Sequence, residues 1–117
     1  MSLRIETSFS GEVAVLRCRG RIVIRDEASA LSEIVSLLLK DHPHVVLNLA
    51  AVESVDSGGL GAMVVLHMWA RGCGRTMKYC CISEPVRHLL TLTKLDSLFE
   101  VHATEEDAIA ACRDRAA

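Results

Sequence analysis

The sequence predicts a single α/β domain spanning residues 1–117, a mixed, mostly parallel sheet with an antiparallel N-terminal edge and about four α-helices. Three observations predict it. The chain has 117 residues, half of them apolar, which suits one sizeable core and not two. Only 3% of the residues are aromatic, so that core must be built from Val, Leu, Ile, Ala and Met, a composition suited to helices packed on a sheet. From residue 26 onward, segments with strand and helix periodicity alternate, as they do where crossover helices join parallel strands.

The elements follow in order. Ile5, Thr7 and Phe9, then Val13, Val15 and Cys18, alternate on either side of a polar Ser10-Gly11-Glu12 turn and predict a β-hairpin. Arg17, Arg19 and Arg21 continue the alternation on the opposite face. They read either as a solvated edge that discourages aggregation or as a docking face for an acidic partner. Asp26 can cap a helix whose Leu31, Ile34, Val35 and Leu38 form one buried stripe, and this helix should stop before Pro43. Val45-Val46-Leu47-Asn48-Leu49 is apolar on both faces except at Asn48, which predicts a central, doubly covered strand. After Val52 and Val55 comes Asp56-Ser57-Gly58-Gly59-Leu60-Gly61, then a run to Ala70 that is apolar nearly all round, predicting a buried helix closed by Gly72. Thr76 to Ile82 reads as a strand. Ser83 is placed to cap a following helix with Pro85 in its first turn and Val86, Leu89 and Leu90 facing inward. Leu98 to Val101 predicts a last short strand, and Thr104-Glu105-Glu106-Asp107 opens a C-terminal helix with acidic residues at the positive end of its dipole.

Composition also excludes functions. A formal charge of −2 with scattered basic residues gives no footprint for nucleic acid. No signal-peptide pattern precedes Gly11, and no charge-free apolar run approaches the roughly 18 residues of a membrane span, so a cytoplasmic protein is expected. The five cysteines are odd in number and lack disulfide or zinc spacing, and so read as reduced, mostly structural thiols. His42-Pro43-His44 falls short of a zinc ligand set and reads as a surface loop. Cys80 and Cys81 point to opposite faces of a strand, leaving at most one exposed thiol, and Met63 and Met68 read as gap-fillers in the core. His67 is expected to be a core or rim histidine without a catalytic role. Ser57 lacks the upstream glycine of an acyl-transfer nucleophile, since Val55 stands there, and Gly59-Leu60-Gly61 lacks the third glycine of a dinucleotide fingerprint, since Val64 stands there. No catalytic residue, cofactor or metal is expected.

One constellation carries chemistry. Asp56-Ser57-Gly58-Gly59-Leu60-Gly61 lies where a central strand ends and a buried helix begins, the end of an open α/β sheet at which ligands are usually met. A serine at a helix N-terminus lies beside unpaired N–H groups and the positive end of the dipole, and both favour an added phosphate. Phosphorylation would add about −1.5 to −2 charges there without melting the helix. The same residues also suit a plain cap with tight strand–helix packing, and residue chemistry alone leaves the two readings open.

This segment, from Val45 through Asp56-Ser57-Gly58-Gly59-Leu60-Gly61, resembles the signature of STAS domains, in particular bacterial anti-sigma factor antagonists. Val86, Leu89-Leu90, Thr93-Lys94-Leu95, Phe99 and Thr104 to Ala108 match further family positions in order, and Gly20-Arg21-Ile22 resembles the family's G-x-L. The resemblance spans Val13 to Ala111. It implies that Ser57 is the phospho-acceptor of a partner serine kinase of the GHKL type that is also an anti-sigma factor. The unphosphorylated form would bind that partner and free a sigma factor, regulating transcription indirectly. It further implies a partner surface on Asp56, Gly58, Gly59 and Leu60, with Arg21 and Asp26. The sequence departs from the family pattern at Gly58 (Ser or Thr), Asn48 (Asp), Ala50 (Ser), Val23 (Asp) and Lys94 (Gly). These departures keep a second reading open, a STAS subunit docked constitutively in a transporter or scaffold complex and never phosphorylated. A third is a sensor binding a nucleotide or lipid near the Ser57 turn.

Overall fold

The expected hairpin opens the structure, a computed structural model that describes residues 3–22 and 26–116. Strands β1 (Arg4–Ser10) and β2 (Val13–Ile22) pair antiparallel, Arg4 opposite Arg19 and Ser10 opposite Val13, with Gly11 in the turn between them. The polar and apolar alternation expected of β2 begins only at Arg17. From Val13 to Leu16 both faces are buried, because helices cover the sheet on either side there. Phe9 is not part of the core. It is exposed and stacks on His42, ring centroids 4.8 Å apart.

Helix α1 (Asp26–Asp41) buries Leu31, Val35 and Leu39 and stops before Pro43 as expected. The Asp26 side chain lies outside the described residues, as does Val23. Strand β3 (His44–Val55) is central, parallel to β2 on one side and to β4 (Thr76–Cys80) on the other. It continues well past Leu49, because Ala51 to Val55 pair with Arg19 to Ile22 across bulged registers. The small and polar residues of that stretch are poor strand formers, and pairing with a neighbour overrides their propensity. His44 is buried as the first residue of β3, so the expected surface loop holds only His42 and Pro43.

Helix α2 (Ser57–Gly72) returns over the sheet, burying Leu60, Met63, Leu66, His67 and Ala70. It is not buried all round. Val65 is 69% exposed, Met68 50% and Trp69 44%, so Met68 fills no gap in the core. Its end is set by Gly74 and not by Gly72. Gly74 takes φ +72° while the N–H of Arg75 reaches the Ala70 carbonyl and that of Gly74 the Arg71 carbonyl, a Schellman arrangement. Strand β4 ends at Cys80, short of Ile82, where Cys81 turns the chain away with φ +59°. Helix α3 (Glu84–Leu92) has Pro85 in its first turn, but Ser83 does not cap it. The Ser83 hydroxyl donates instead to the Val52 carbonyl at 2.7 Å, pinning α3 to β3.

The last strand, β5 (Val101–His102), is shorter and later than the sequence suggests. Phe99 precedes it in a turn and is buried against Tyr79. Helix α4 (Glu105–Ala116) is capped by Thr104, whose hydroxyl accepts from the Asp107 N–H at 3.0 Å. The sheet order is β1-β2-β3-β4-β5. One face packs Leu16, Leu47, Leu49 and Tyr79 under α1, α2 and α3, and the other packs Val13, Val15 and Val46 under α4. None of the five cysteines forms a disulfide. Cys18, Cys80 and Cys112 are buried and Cys73 is exposed. Among the described residues no helix is long and apolar enough to cross a membrane.

Candidate functional site

The site is the junction where β3 hands over to α2. Asp56 leaves the strand with extended dihedrals, and its side-chain oxygen accepts from the Gly59 N–H at 2.7 Å, the geometry of an N-cap. Its own N–H reaches the Ile22 carbonyl of β2 at 3.3 Å, so the cap is fastened to the sheet. Gly59 is held still closer. A Cβ added there would lie 2.1 Å from the Ile22 carbonyl oxygen, a distance no side chain tolerates. The glycine therefore serves close helix–strand approach.

Because Asp56 does the capping, the neighbouring hydroxyl has no structural duty. Ser57 is the first residue of α2 and is exposed, and among the described residues its hydroxyl makes no hydrogen bond. No acidic residue occupies the first turn of α2, and the cap carboxylate of Asp56 is the negative group beside the N–H groups at its start and the positive end of the dipole among the described residues. The two readings left open by residue chemistry thus divide between two residues, Asp56 the cap and Ser57 the presented hydroxyl.

The other predicted site residues fall in different places. Gly58 is half-buried next to Ser57, whereas Gly59 and Leu60 face the core, so the edge at this junction is formed by Ser57 and Gly61. Arg21 is exposed and paired in register with Ser54. It alternates with the buried Ile22 and so points to the opposite face of the sheet.

Two features escaped the sequence reading. Ser57, Gly61, Val65 and Met68 succeed one another at helical spacing along the outer side of α2, with Trp69 beside them, so the serine heads an exposed apolar stripe. Leu37 on the neighbouring α1 is exposed too. A run that is apolar all round conceals which side faces out. The second feature joins distant segments. Arg17 grips Glu105 with two hydrogen bonds of 2.7 and 2.9 Å, and the Asn48 amide donates to the same carboxylate at 2.7 Å. The Arg17 hydrogen bonds, aided by that of Asn48, hold the Glu105 carboxyl below the usual range. An aspartate at 48 would set like charges against each other, so the departure at Asn48 suits this chain's own Glu105.

The STAS domain family profile matches residues 4–108. The chain belongs to the STAS domain family. Among curated relatives of this STAS domain is the anti-sigma F factor antagonist of Paenibacillus polymyxa, 24% identical over 93% of this chain and 94% of that one. An anti-sigma factor antagonist from Mycobacterium paratuberculosis superposes with a TM-score of 0.81 at 26% identity, covering 96% of this chain and 95% of that chain. The phosphorylated form of the Bacillus cell fate determinant SpoIIAA shares the fold at a TM-score of 0.71 and 17% identity, covering 92% of this chain and 98% of that chain. The mixed sheet with its four helices is thus the STAS fold, as the sequence resemblance implied.

Proposed function

We propose that this STAS domain is an anti-sigma factor antagonist, a cytoplasmic, non-enzymatic binding switch whose phospho-acceptor is Ser57. One observation carries the reading. Ser57 is exposed at the first position of α2, is relieved of capping by Asp56, and stands at the head of an apolar stripe that a partner can cover. In the unphosphorylated state the stripe docks an anti-sigma factor that is also a GHKL-type serine kinase, and a sigma factor is released. A phosphate on Ser57 places two negative charges beside Asp56 at the rim of that surface and lowers affinity by desolvation and repulsion, while the helix dipole keeps the fold intact. Relatives that are anti-sigma factor antagonists support the partner class.

Incubation with such a kinase and ATP, followed by mass spectrometric mapping, should place the phosphate on Ser57, and Ser57→Ala should abolish it. Ser57→Asp should weaken partner binding and leave thermal stability nearly unchanged. Label on another residue, or unaltered affinity of Ser57→Asp, counts against the switch. The apolar stripe also favours a second reading, a STAS subunit whose α2 face is permanently covered in a larger complex. Under that reading Ser57→Ala is silent in cells while Val65→Glu is not.

A further inference from the structure

The arginines of the hairpin lie on the face of the sheet away from α2, and most of their charge is unanswered. A groove of about 490 Å³ opens there over β1, β2 and β3, lined by Arg4, Glu6, Arg17 and Arg19, with the small Ala50 and Ala51 leaving room. Arg17 is satisfied by Glu105 at 2.7 Å and by Glu6 at 3.8 Å. Arg4 and Arg19 are not. They stand directly opposite each other in the β1–β2 register, and among the described residues neither has an ion pair or hydrogen-bond partner. Like charges across a strand pair are destabilising, yet the two carboxylates nearby are both committed to Arg17, in a chain whose formal charge is −2. Arg21 is exposed two residues further along β2, beyond the groove.

We propose that this groove docks an extended acidic segment of a partner protein, its carboxylates taken by Arg4 and Arg19. Guanidinium forks match carboxylates bidentately. The groove adjoins β1, the outer strand of the sheet, so an extended chain can lie alongside it. Helix α2 packs on the other face, and an occupant here therefore does not compete for the Ser57 surface.

The test is an anisotropy titration of the whole chain with a fluorescein-labelled peptide of alternating Glu and Ser at low salt. The double variant Arg4→Ser/Arg19→Ser should bind about tenfold more weakly, whereas Arg71→Ser/Arg87→Ser, of equal net charge but altered on α2 and α3, should bind as the parent does. The first variant should melt no lower than the parent, since it removes a repulsion. Ser57→Asp should leave peptide binding unchanged, whatever it does to the kinase complex. Equal weakening by both double variants would reduce the effect to net charge and overturn the proposal, as would a lower melting temperature for Arg4→Ser/Arg19→Ser, which would make the pair structural. Displacement of the peptide by inorganic phosphate at matching concentration overturns it in favour of a phosphate site. Sedimentation showing a dimer that this variant dissolves overturns it in favour of a second copy of the chain.

Discussion

Gly59 and Gly61, two residues apart in α2, illustrate how one residue type serves different ends. At Gly59 a methyl group meets the Ile22 backbone, which cannot step aside without moving β2. Gly59→Ala should therefore cost about 3 kcal/mol in denaturant unfolding. At Gly61 nothing lies within 4 Å of an added Cβ. Gly61→Ala should stabilise the isolated chain by about 1 kcal/mol, because alanine favours the helix. If the stripe docks a partner as proposed, the same methyl group should weaken that complex, since Gly61 lies one turn from Ser57. Equal effects of the two substitutions on stability would show that α2 does not press on β2 as described.

At the scale of elements, α2 and α3 end in the same way with different residues. After α3, the Leu95 N–H reaches the Leu90 carbonyl at 2.9 Å and the Lys94 N–H the Thr91 carbonyl at 3.2 Å, the hydrogen bonds that Arg75 and Gly74 make after α2. Lys94 thus holds φ +61° where α2 has a glycine. A side chain in that conformation costs roughly 1–2 kcal/mol. Lys94→Gly should recover about 1 kcal/mol of it, read as a higher denaturation midpoint at unchanged slope. The resemblance to the STAS pattern, which has glycine at this place, pointed to the position, and the helix terminus supplies the reason.

For the whole molecule, the core carries an acid-sensitive element. His67 of α2 shares a hydrogen bond of 2.9 Å between its Nδ1 and the buried Tyr79 hydroxyl and packs edge-on against Phe99. Burial first, then the nearby charges of Arg71 and Lys78, hold its pKa below the ordinary value. The unfolded chain therefore takes up this proton before the folded one does, so the stabilisation is complete above about pH 6.5 and declines as the pH falls through the folded value. Glu100, lowered mainly by its hydrogen bond from Lys78, and Glu105, lowered by Arg17, add a second loss that begins below about pH 4.3. Urea midpoints measured from about pH 8 to about pH 2.5 should fall in these two stages, and His67→Gln should flatten the first while keeping a hydrogen-bonding partner for Tyr79. A variant with the parent's pH profile would remove His67 from the account. The layout of strands and helices was legible in the sequence because periodicity and turn residues mark it, as was the position of Ser57 at the start of a helix, flanked by a capping residue and glycines. Strand ends were less so. β3 outruns its apolar residues because β2 pairs with it, and β5 is displaced because Phe99 is recruited by Tyr79 and His67. The solvent-facing stripe of α2 was illegible, since only the placement of neighbours decides which side of a uniformly apolar helix stays bare.

That bare side carries the chain's single indole. Trp69 therefore acts as a built-in optical label, emitting at wavelengths close to those of a water-exposed ring when the domain is alone. A companion that settles over α2 should shift this emission to the blue and shield it from iodide, whereas a peptide lodged on the arginine face should leave it untouched, so one spectrum can tell which of the two surfaces is occupied.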